Sequence, residues 1–133
     1  PKAGSEIMTK SFLISKYNLK NNFNFKGSVN NLYEVYFQYD YLLQPTHMEC
    51  FSLSILESLS ANVPVITTSV GGNEEAIQHN KNGYIYQPKD VLALKEIIQN
   101  VFEGKMTITE HTRTLIETNF TIDKMVKEHI NLI

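Results

Sequence analysis

The sequence has a single cysteine, Cys50, among its 133 residues, so it cannot form an intramolecular disulfide. A lone thiol is typical of a reducing compartment, and we expect a cytoplasmic location. No apolar run approaches the roughly 20 residues of a membrane-spanning helix, and the opening PKAGSEIMTK lacks the apolar stretch of a secretory signal peptide. The formal net charge of -2 gives no broad attraction for nucleic acid or an acidic membrane surface. We therefore expect no nucleic acid as a partner.

The hydrophobic pattern predicts strands that alternate with helices. Short alternating or β-branched runs predict strands at residues 22–27, 41–44, 64–68 and 83–86. Apolar spacings of three and four residues predict helices at residues 5–17, 31–39, 52–61, 74–78, 90–101, 109–117 and 122–132. Asp90 is expected to cap its helix, and Asn62 to adopt the left-handed conformation that ends one. This alternation indicates an α/β domain with a mainly parallel sheet.

The chain has the length of one domain, and we expect residues 1–133 to form a single one. A doubly wound nucleotide-binding domain normally starts with a strand and has about six. Here the pattern opens on a helix and predicts four strands. We therefore expect the N-terminal edge of the domain to be missing from these residues.

The first informative segment, residues 45–57, follows a predicted strand and leads into a helix. This helix is apolar around most of its circumference, so we expect it to be buried. Ligands of open α/β sheets bind at the carboxyl ends of strands, where helix N-termini present free N–H groups. A phosphate suits such a place. Glu49 precedes the helix and Glu57 lies inside it, so the two carboxylates cannot share a helical face. They suit two hydroxyl-bearing parts of an extended ligand.

A second loop, residues 69–75, follows the next strand and contains Gly71 and Gly72. Paired glycines let a ligand approach the backbone and leave N–H groups free for an anion. Because the carboxyl ends of successive parallel strands meet at one edge of a sheet, we expect the two loops to converge there.

These motifs resemble those of GT-B glycosyltransferases, especially family 4. Glu49 and Glu57 are similar to the family's Glu-x7-Glu motif, and residues 71–75 to its GG-x-x-E loop. In the same order along the chain, residues 25–27 resemble the family's F-x-G, residues 62–66 (Asn-Val-Pro-Val-Ile) its G-x-P-V-I, and residues 82–90 its NG…P-x-D. The resemblance spans roughly residues 18–119. It implies a Rossmann-like parallel sheet with helices on both faces, the C-terminal domain of the GT-B fold.

The resemblance also implies a reaction. The family transfers sugar from a nucleoside-diphosphate sugar with retention of configuration, the donor phosphate assisting at the back of the sugar. A UDP-sugar is the expected donor, and no bound metal or other cofactor is expected. Glu49 would contact the transferred sugar as the catalytic residue, and Glu57 the ribose hydroxyls. The other residues implied in donor binding are Gly27, Ser28 and Val29 near the base, Cys50, Phe51, Ser52 and Leu53 at the helix N-terminus, and Gly71, Gly72 and Glu75 in the second loop.

The sequence departs from the family pattern in several places. Cys50, Ser52 and Asn62 stand where glycine is frequent. The family's basic residues that clamp the diphosphate belong to a first strand and helix with no match here, and an N-terminal acceptor-binding domain is a further expected partner. We therefore expect the 133 residues alone to be the inactive donor-binding part of an enzyme of glycan, polysaccharide or glycolipid synthesis. Peripheral membrane contact of the parent protein stays open.

Simpler interpretations stand beside these. Ser54 and Glu57 fit a capping box, in which Glu57 bonds to the helix start. Glu74 and Glu75 fit the first turn of a helix, where its dipole favours acids. His47 is interpreted as an ordinary loop residue. Two other functions also stay open: a sugar-nucleotide epimerase of the same fold, and a non-catalytic nucleotide-sugar-binding or scaffold module.

Overall fold

The computed structural model describes residues 10–131. The chain divides into two compact units, Pro1–Asn30 and Asn31–Ile133. In the first unit, helix α1 (Lys10–Lys16) is followed by turns. The predicted start of this helix at Ser5 lies outside the described residues. The strand predicted at residues 22–27 is wrong, because this segment forms no strand and its side chains are exposed. That all 133 residues form one domain stays a prediction.

The second unit contains a parallel sheet of three strands, β1 (Leu42–Gln44), β2 (Val65–Thr68) and β3 (Gly83–Tyr86), in the order β1-β2-β3. Its helices are α2 (Leu32–Tyr36), α3 (Leu53–Ser60), α4 (Asn73–Ala76), α5 (Val91–Phe102), α6 (Arg113–Asn119) and α7 (Ile122–Ile130). The described part of the chain therefore has three of the four predicted strands. None of its helices combines the length and apolar character needed to cross a lipid bilayer.

The sheet is covered on both faces, as all four residues of β2 are buried. Successive side chains of a strand point to opposite faces. Val65 accordingly packs into a cluster with Ile55 and Leu59 of α3. The same cluster contains Ala76 of α4 and Ile77, the residue after it. Its neighbour Ile66 packs into another cluster with Tyr84, Tyr86 and, from α5, Ile97. The predicted Rossmann-like arrangement, with helices on both faces, is confirmed.

Two predicted helix boundaries are confirmed by their backbone and side-chain geometry. Asp90 accepts a hydrogen bond from the N–H of Ala93 at 2.9 Å, which caps α5. Asn62 has a φ of 61° just beyond α3. Its side-chain oxygen also accepts from the N–H of Thr112 at 2.9 Å, while the Thr112 hydroxyl donates to the carbonyl of Leu59 at 3.0 Å. Asn62 thus ends α3 and helps tie it to the segment before α6.

Helix α3 is buried on one side only, so the prediction of a buried helix is wrong. Ile55, Ser58 and Leu59 are buried, but Leu53 is 71% exposed and Glu57 is exposed as well. The reason is that only one side of the helix packs into the core. The exposed side carries the first and fifth residues of the helix, and both belong to the candidate site.

Candidate functional site

The candidate site lies where β1 and β2 end. These strands pair in parallel with Gln44 opposite Thr67, so their carboxyl ends lie side by side. The first edge loop, residues 45–52, connects β1 to α3, and the second edge loop, residues 69–72, connects β2 to α4. Two loops and the start of a helix of two turns are therefore brought to one edge of the sheet.

The two edge loops are in direct contact. The N–H of Gly72 donates to the carbonyl of Cys50 at 2.7 Å. A Cβ atom at Gly71 would overlap the backbone carbonyl of Glu49, and one at Gly72 would overlap the ring of Phe51. Gly71 also has a φ of 52°, which side chains disfavour. The paired glycines thus permit the close approach that brings the second loop against the first. The prediction that their N–H groups stay free for an anion is wrong for Gly72, because its N–H is used in this contact.

This contact predicts that Gly71→Ala destabilises the fold by about 1–3 kcal/mol, because the added Cβ meets a backbone carbonyl that cannot easily move. The matched control is Gly104→Ala. Gly104 has a φ of 70° but no atom within 4 Å of the added Cβ, so it incurs only the conformational cost. Urea denaturation of both variants measures the difference. Equal losses in the two variants would contradict the proposed importance of the loop contact.

The start of α3 offers free hydrogen-bond donors. Ser52 is the N-cap residue, in extended conformation, but its side chain makes no capping hydrogen bond. Within the described part of the chain, the N–H groups of Leu53, Ser54 and Ile55 have no acceptor. Free N–H groups together with the positive end of a helix dipole favour an anion such as a phosphate.

The two carboxylates are placed on different elements, as predicted. Glu49 is half-buried in the first edge loop, and its Oε1 accepts from the N–H of Cys50 at 3.1 Å. Glu57 is exposed in the middle of α3. Burial of Tyr36 is the main cause that raises the pKa of its hydroxyl, and the negative charge of Glu57 is the second cause. The Tyr36 hydroxyl donates to the carbonyl of Ser54 at 3.2 Å. The carboxylate of Glu57 is thus close enough to Tyr36 for its charge to raise the pKa of the Tyr36 hydroxyl.

The capping-box interpretation of Glu57 is wrong. Ser52 occupies the N-cap position and Ser54 is the second residue of the helix, so the pair has the wrong register for a capping box. The side chain of Glu57 makes no hydrogen bond to the helix start or elsewhere in the described residues. Its carboxylate is consequently free to bind a ligand.

Buried polar side chains hold the two edge loops in place. Thr67 donates to the carbonyl of Gln44 at 2.9 Å, and Thr68 to that of Thr46 at 2.6 Å. The side-chain amide of Asn73 donates to the hydroxyl of Thr67 at 3.2 Å and to the carbonyl of Thr68 at 3.1 Å.

Two further buried atoms, Oγ of Ser69 and Oδ1 of Asn73, have no partner among the described residues. Such atoms are available to a bound water or ligand.

The remaining residues of the predicted site differ in their placement. Phe51 is half-buried, with its ring 5.6 Å from that of Phe120, a contact that the sequence did not reveal. Glu75 is exposed in α4, with its N–H bonded to the carbonyl of Gly72 at 3.1 Å. It shares the first turn with Glu74, as the helix-dipole interpretation requires.

Gly27, Ser28 and Val29 are exposed in the first unit, Gly27 with a φ of 68°. Their prediction as donor-binding residues stays untested.

Other groups bear on the chemistry of the site. Cys50 is a free and exposed thiol. His47, in the first edge loop, is exposed and has no recorded partner among the described residues. No group of three or more His, Cys, Asp and Glu residues in the range 10–131 is placed to hold a metal ion. The candidate site therefore offers backbone N–H groups, carboxylates, hydroxyls and amides, together with the thiol of Cys50 and the imidazole of His47.

Comparison with known sequences gives a family and several relatives. The family described as "Glycosyl transferases group 1" matches residues 3–120. N-acetyl-alpha-D-glucosaminyl L-malate synthase of Bacillus anthracis is 28% identical over 129 residues, which cover 95% of this chain and 34% of that protein. Protein CapJ of Staphylococcus aureus is 31% identical over 114 residues, covering 73% of this chain and 28% of that protein. The chain thus spans about a third of the length of these relatives.

Solved structures share the fold. Sucrose-phosphate synthase from Thermosynechococcus elongatus superposes with a TM-score of 0.80 at 24% identity, over 92% of this chain and 32% of that one. HepE of Anabaena, in complex with UDP, superposes with a TM-score of 0.79 at 24% identity, over 90% of this chain and 35% of that one. With a family match over most of its length and the α/β fold of these neighbours, the chain belongs to the glycosyl transferases group 1 family and has the GT-B type of fold.

Proposed function

We propose that these residues bind the donor of a retaining glycosyltransferase, which transfers a sugar from a UDP-sugar to an acceptor in glycan, polysaccharide or glycolipid synthesis. One observation carries the proposal: the uncapped start of α3, with free N–H groups at Leu53, Ser54 and Ile55, lies between the carboxylates of Glu49 and Glu57 in the chain. An anionic diphosphate flanked by hydroxyl-bearing sugars matches that order of groups. HepE has been solved with UDP and with UDP-glucose, which supports this donor class.

In the proposed complex, the diphosphate accepts hydrogen bonds from the first turn of α3. The exposed carboxylate of Glu57 accepts from the ribose hydroxyls, and Glu49 accepts from the hydroxyls of the transferred sugar. A carboxylate that accepts from a neutral hydroxyl makes a charge-assisted bond, roughly twice as strong as a neutral one. The donors of α3 stabilise the departing diphosphate as its negative charge grows, which is why we propose that no metal is required.

The second edge loop completes the proposed site. Gly71 and Gly72 hold the second edge loop against the first, Phe51 walls the pocket, and Glu75 is a further donor contact. That Gly27, Ser28 and Val29 contact the base stays a prediction from the sequence. The acceptor is proposed to bind to a part of the polypeptide outside these residues. We place the reaction in the cytoplasm, where the exposed thiol of Cys50 stays reduced.

The proposal predicts that UDP binds the chain and slows alkylation of Cys50, because the bound diphosphate covers the exposed thiol beside Glu49. Calorimetry with UDP gives the Kd, and mass spectrometry of iodoacetamide-treated protein gives the alkylation rate. UMP is the matched control. It keeps the base and ribose but lacks the second phosphate, so it should bind more weakly and protect less at equal concentration.

Two results would contradict the donor site. UDP and UMP of equal affinity would show that the start of α3 does not bind the second phosphate. An unchanged rate of Cys50 alkylation at confirmed UDP saturation would place the nucleotide elsewhere. Because Cys50 is the single cysteine of the sequence, the modified site needs no deconvolution.

A further inference from the structure

The side chain of Ser52 is held by Gln44, the last residue of β1. The Ser52 hydroxyl lies 3.0 Å from Nε2 and 3.1 Å from Oε1 of the Gln44 amide. Ser52 is only 7% exposed and Gln44 is half-buried, so the pair is partly shielded from water. An amide offers both a donor and an acceptor, and it therefore satisfies both the proton and a lone pair of the hydroxyl.

This pairing prevents the side chain of Ser52 from capping α3, as an N-cap serine commonly does. A serine in this position, with extended backbone, normally accepts a hydrogen bond from the N–H two or three residues on, here Ser54 or Ile55. The backbone of Ser52 has a suitable conformation, with φ of -86° and ψ of 113°. Its side chain nevertheless makes no such bond. The cause is the competing amide of Gln44, and the consequence is that the first-turn N–H groups stay free.

We infer that Gln44 is a positioning residue of the donor site: it holds the Ser52 hydroxyl away from the first turn of α3, so that the N–H groups of Ser54 and Ile55 remain available to the diphosphate. The inference rests on the proposed function. Gln44 acts through Ser52 and does not itself contact the donor. Without Gln44, the hydroxyl is free to accept from those same N–H groups, as an N-cap serine commonly does, and it then competes with the phosphate for them.

The first test needs no nucleotide. In Gln44→Leu, the freed hydroxyl should cap α3, and amide hydrogen exchange at Ser54 and Ile55, followed by NMR, should slow relative to the wild type. Ser52→Ala is the matched control, since it removes the hydroxyl and keeps the Cβ. Combining it with Gln44→Leu should return exchange at both positions to the rate of Ser52→Ala alone. Unchanged exchange in a folded Gln44→Leu protein would overturn the inference.

The second test measures UDP binding in the same variants. Gln44→Leu should raise the Kd for UDP about fivefold, the equivalent of roughly 1 kcal/mol for a cap that the phosphate must displace. Against a Ser52→Ala background, the same substitution should change the Kd by less than twofold. A loss that persists without the hydroxyl would show that Gln44 merely supports the fold, and would overturn its positioning role.

The two tests separate this inference from the proposed function. A wild-type chain that does not bind UDP contradicts the proposed donor, whatever Gln44 does. Slowed exchange at Ser54 and Ile55 in Gln44→Leu would then still support the hold of Gln44 on Ser52. Conversely, normal UDP binding by the wild type with an unaffected Gln44→Leu variant retains the donor site and refutes the role of Gln44.

Discussion

Glu57→Ala should raise the Kd for UDP by about tenfold to a hundredfold while leaving the fold intact. The loss of a hydrogen bond to a charged group is worth about 1.5–3 kcal/mol, which corresponds to that change in affinity. Glu57 is exposed and makes no hydrogen bond within the described residues, so its removal leaves no buried group unsatisfied. The whole effect should therefore appear in nucleotide binding.

Calorimetry with UDP, beside urea denaturation of each variant, measures this prediction. Glu96→Ala is the matched control, because Glu96 is also an exposed glutamate within a helix, and its loss changes the net charge equally. It should bind UDP like the wild type. Normal UDP affinity in a folded Glu57→Ala protein would refute the ribose role. Had the capping box been present, this variant would instead have lost about 0.5–2 kcal/mol of stability.

The elements that the sequence predicted well carry strong local signals. β2 is a β-branched run that follows Pro64, and α5 begins at the cap Asp90 and repeats its apolar residues at helical spacing. The segment at residues 22–27 has the alternation of a strand as well, yet it forms none. An alternation of polar and apolar residues fits the two faces of a strand. A strand also needs a neighbouring strand whose backbone groups pair with its own. That neighbour is not encoded in the segment itself.

The candidate site, like the fold, could be predicted from the sequence only in part. The convergence of the two edge loops follows from strands that are parallel and consecutive, so it could be predicted without coordinates. The support from Thr67, Thr68 and Asn73 could not, because a β-branched run predicts a strand but not the hydrogen bonds that its threonines make. The pairing of Gln44 with Ser52 was also beyond the sequence. It depends on how the first edge loop returns across the end of β1, which residue types alone do not specify.

The second large effect is expected from Glu49→Gln, studied in the natural protein. Turnover should fall about tenfold to a hundredfold, because a charge-assisted contact to the sugar matters most as positive charge develops toward the transition state. UDP binding should change little, since UDP lacks the transferred sugar. The substitution is nearly isosteric, and its remaining carbonyl oxygen can still accept from the N–H of Cys50, so the loop should keep its shape.

The measurements are kcat with UDP-sugars and the Kd for UDP, on the same preparation. Equal losses in both would show that the substitution disturbs the loop as a whole, and unchanged turnover would refute the catalytic role of Glu49. The products also separate the rival functions: an epimerised sugar would identify an epimerase, whereas a donor that binds without turnover in the wild type would identify a binding module. Transfer that falls in Glu49→Gln while UDP affinity persists is the result that assigns Glu49 to the sugar and leaves the nucleotide to α3 and Glu57.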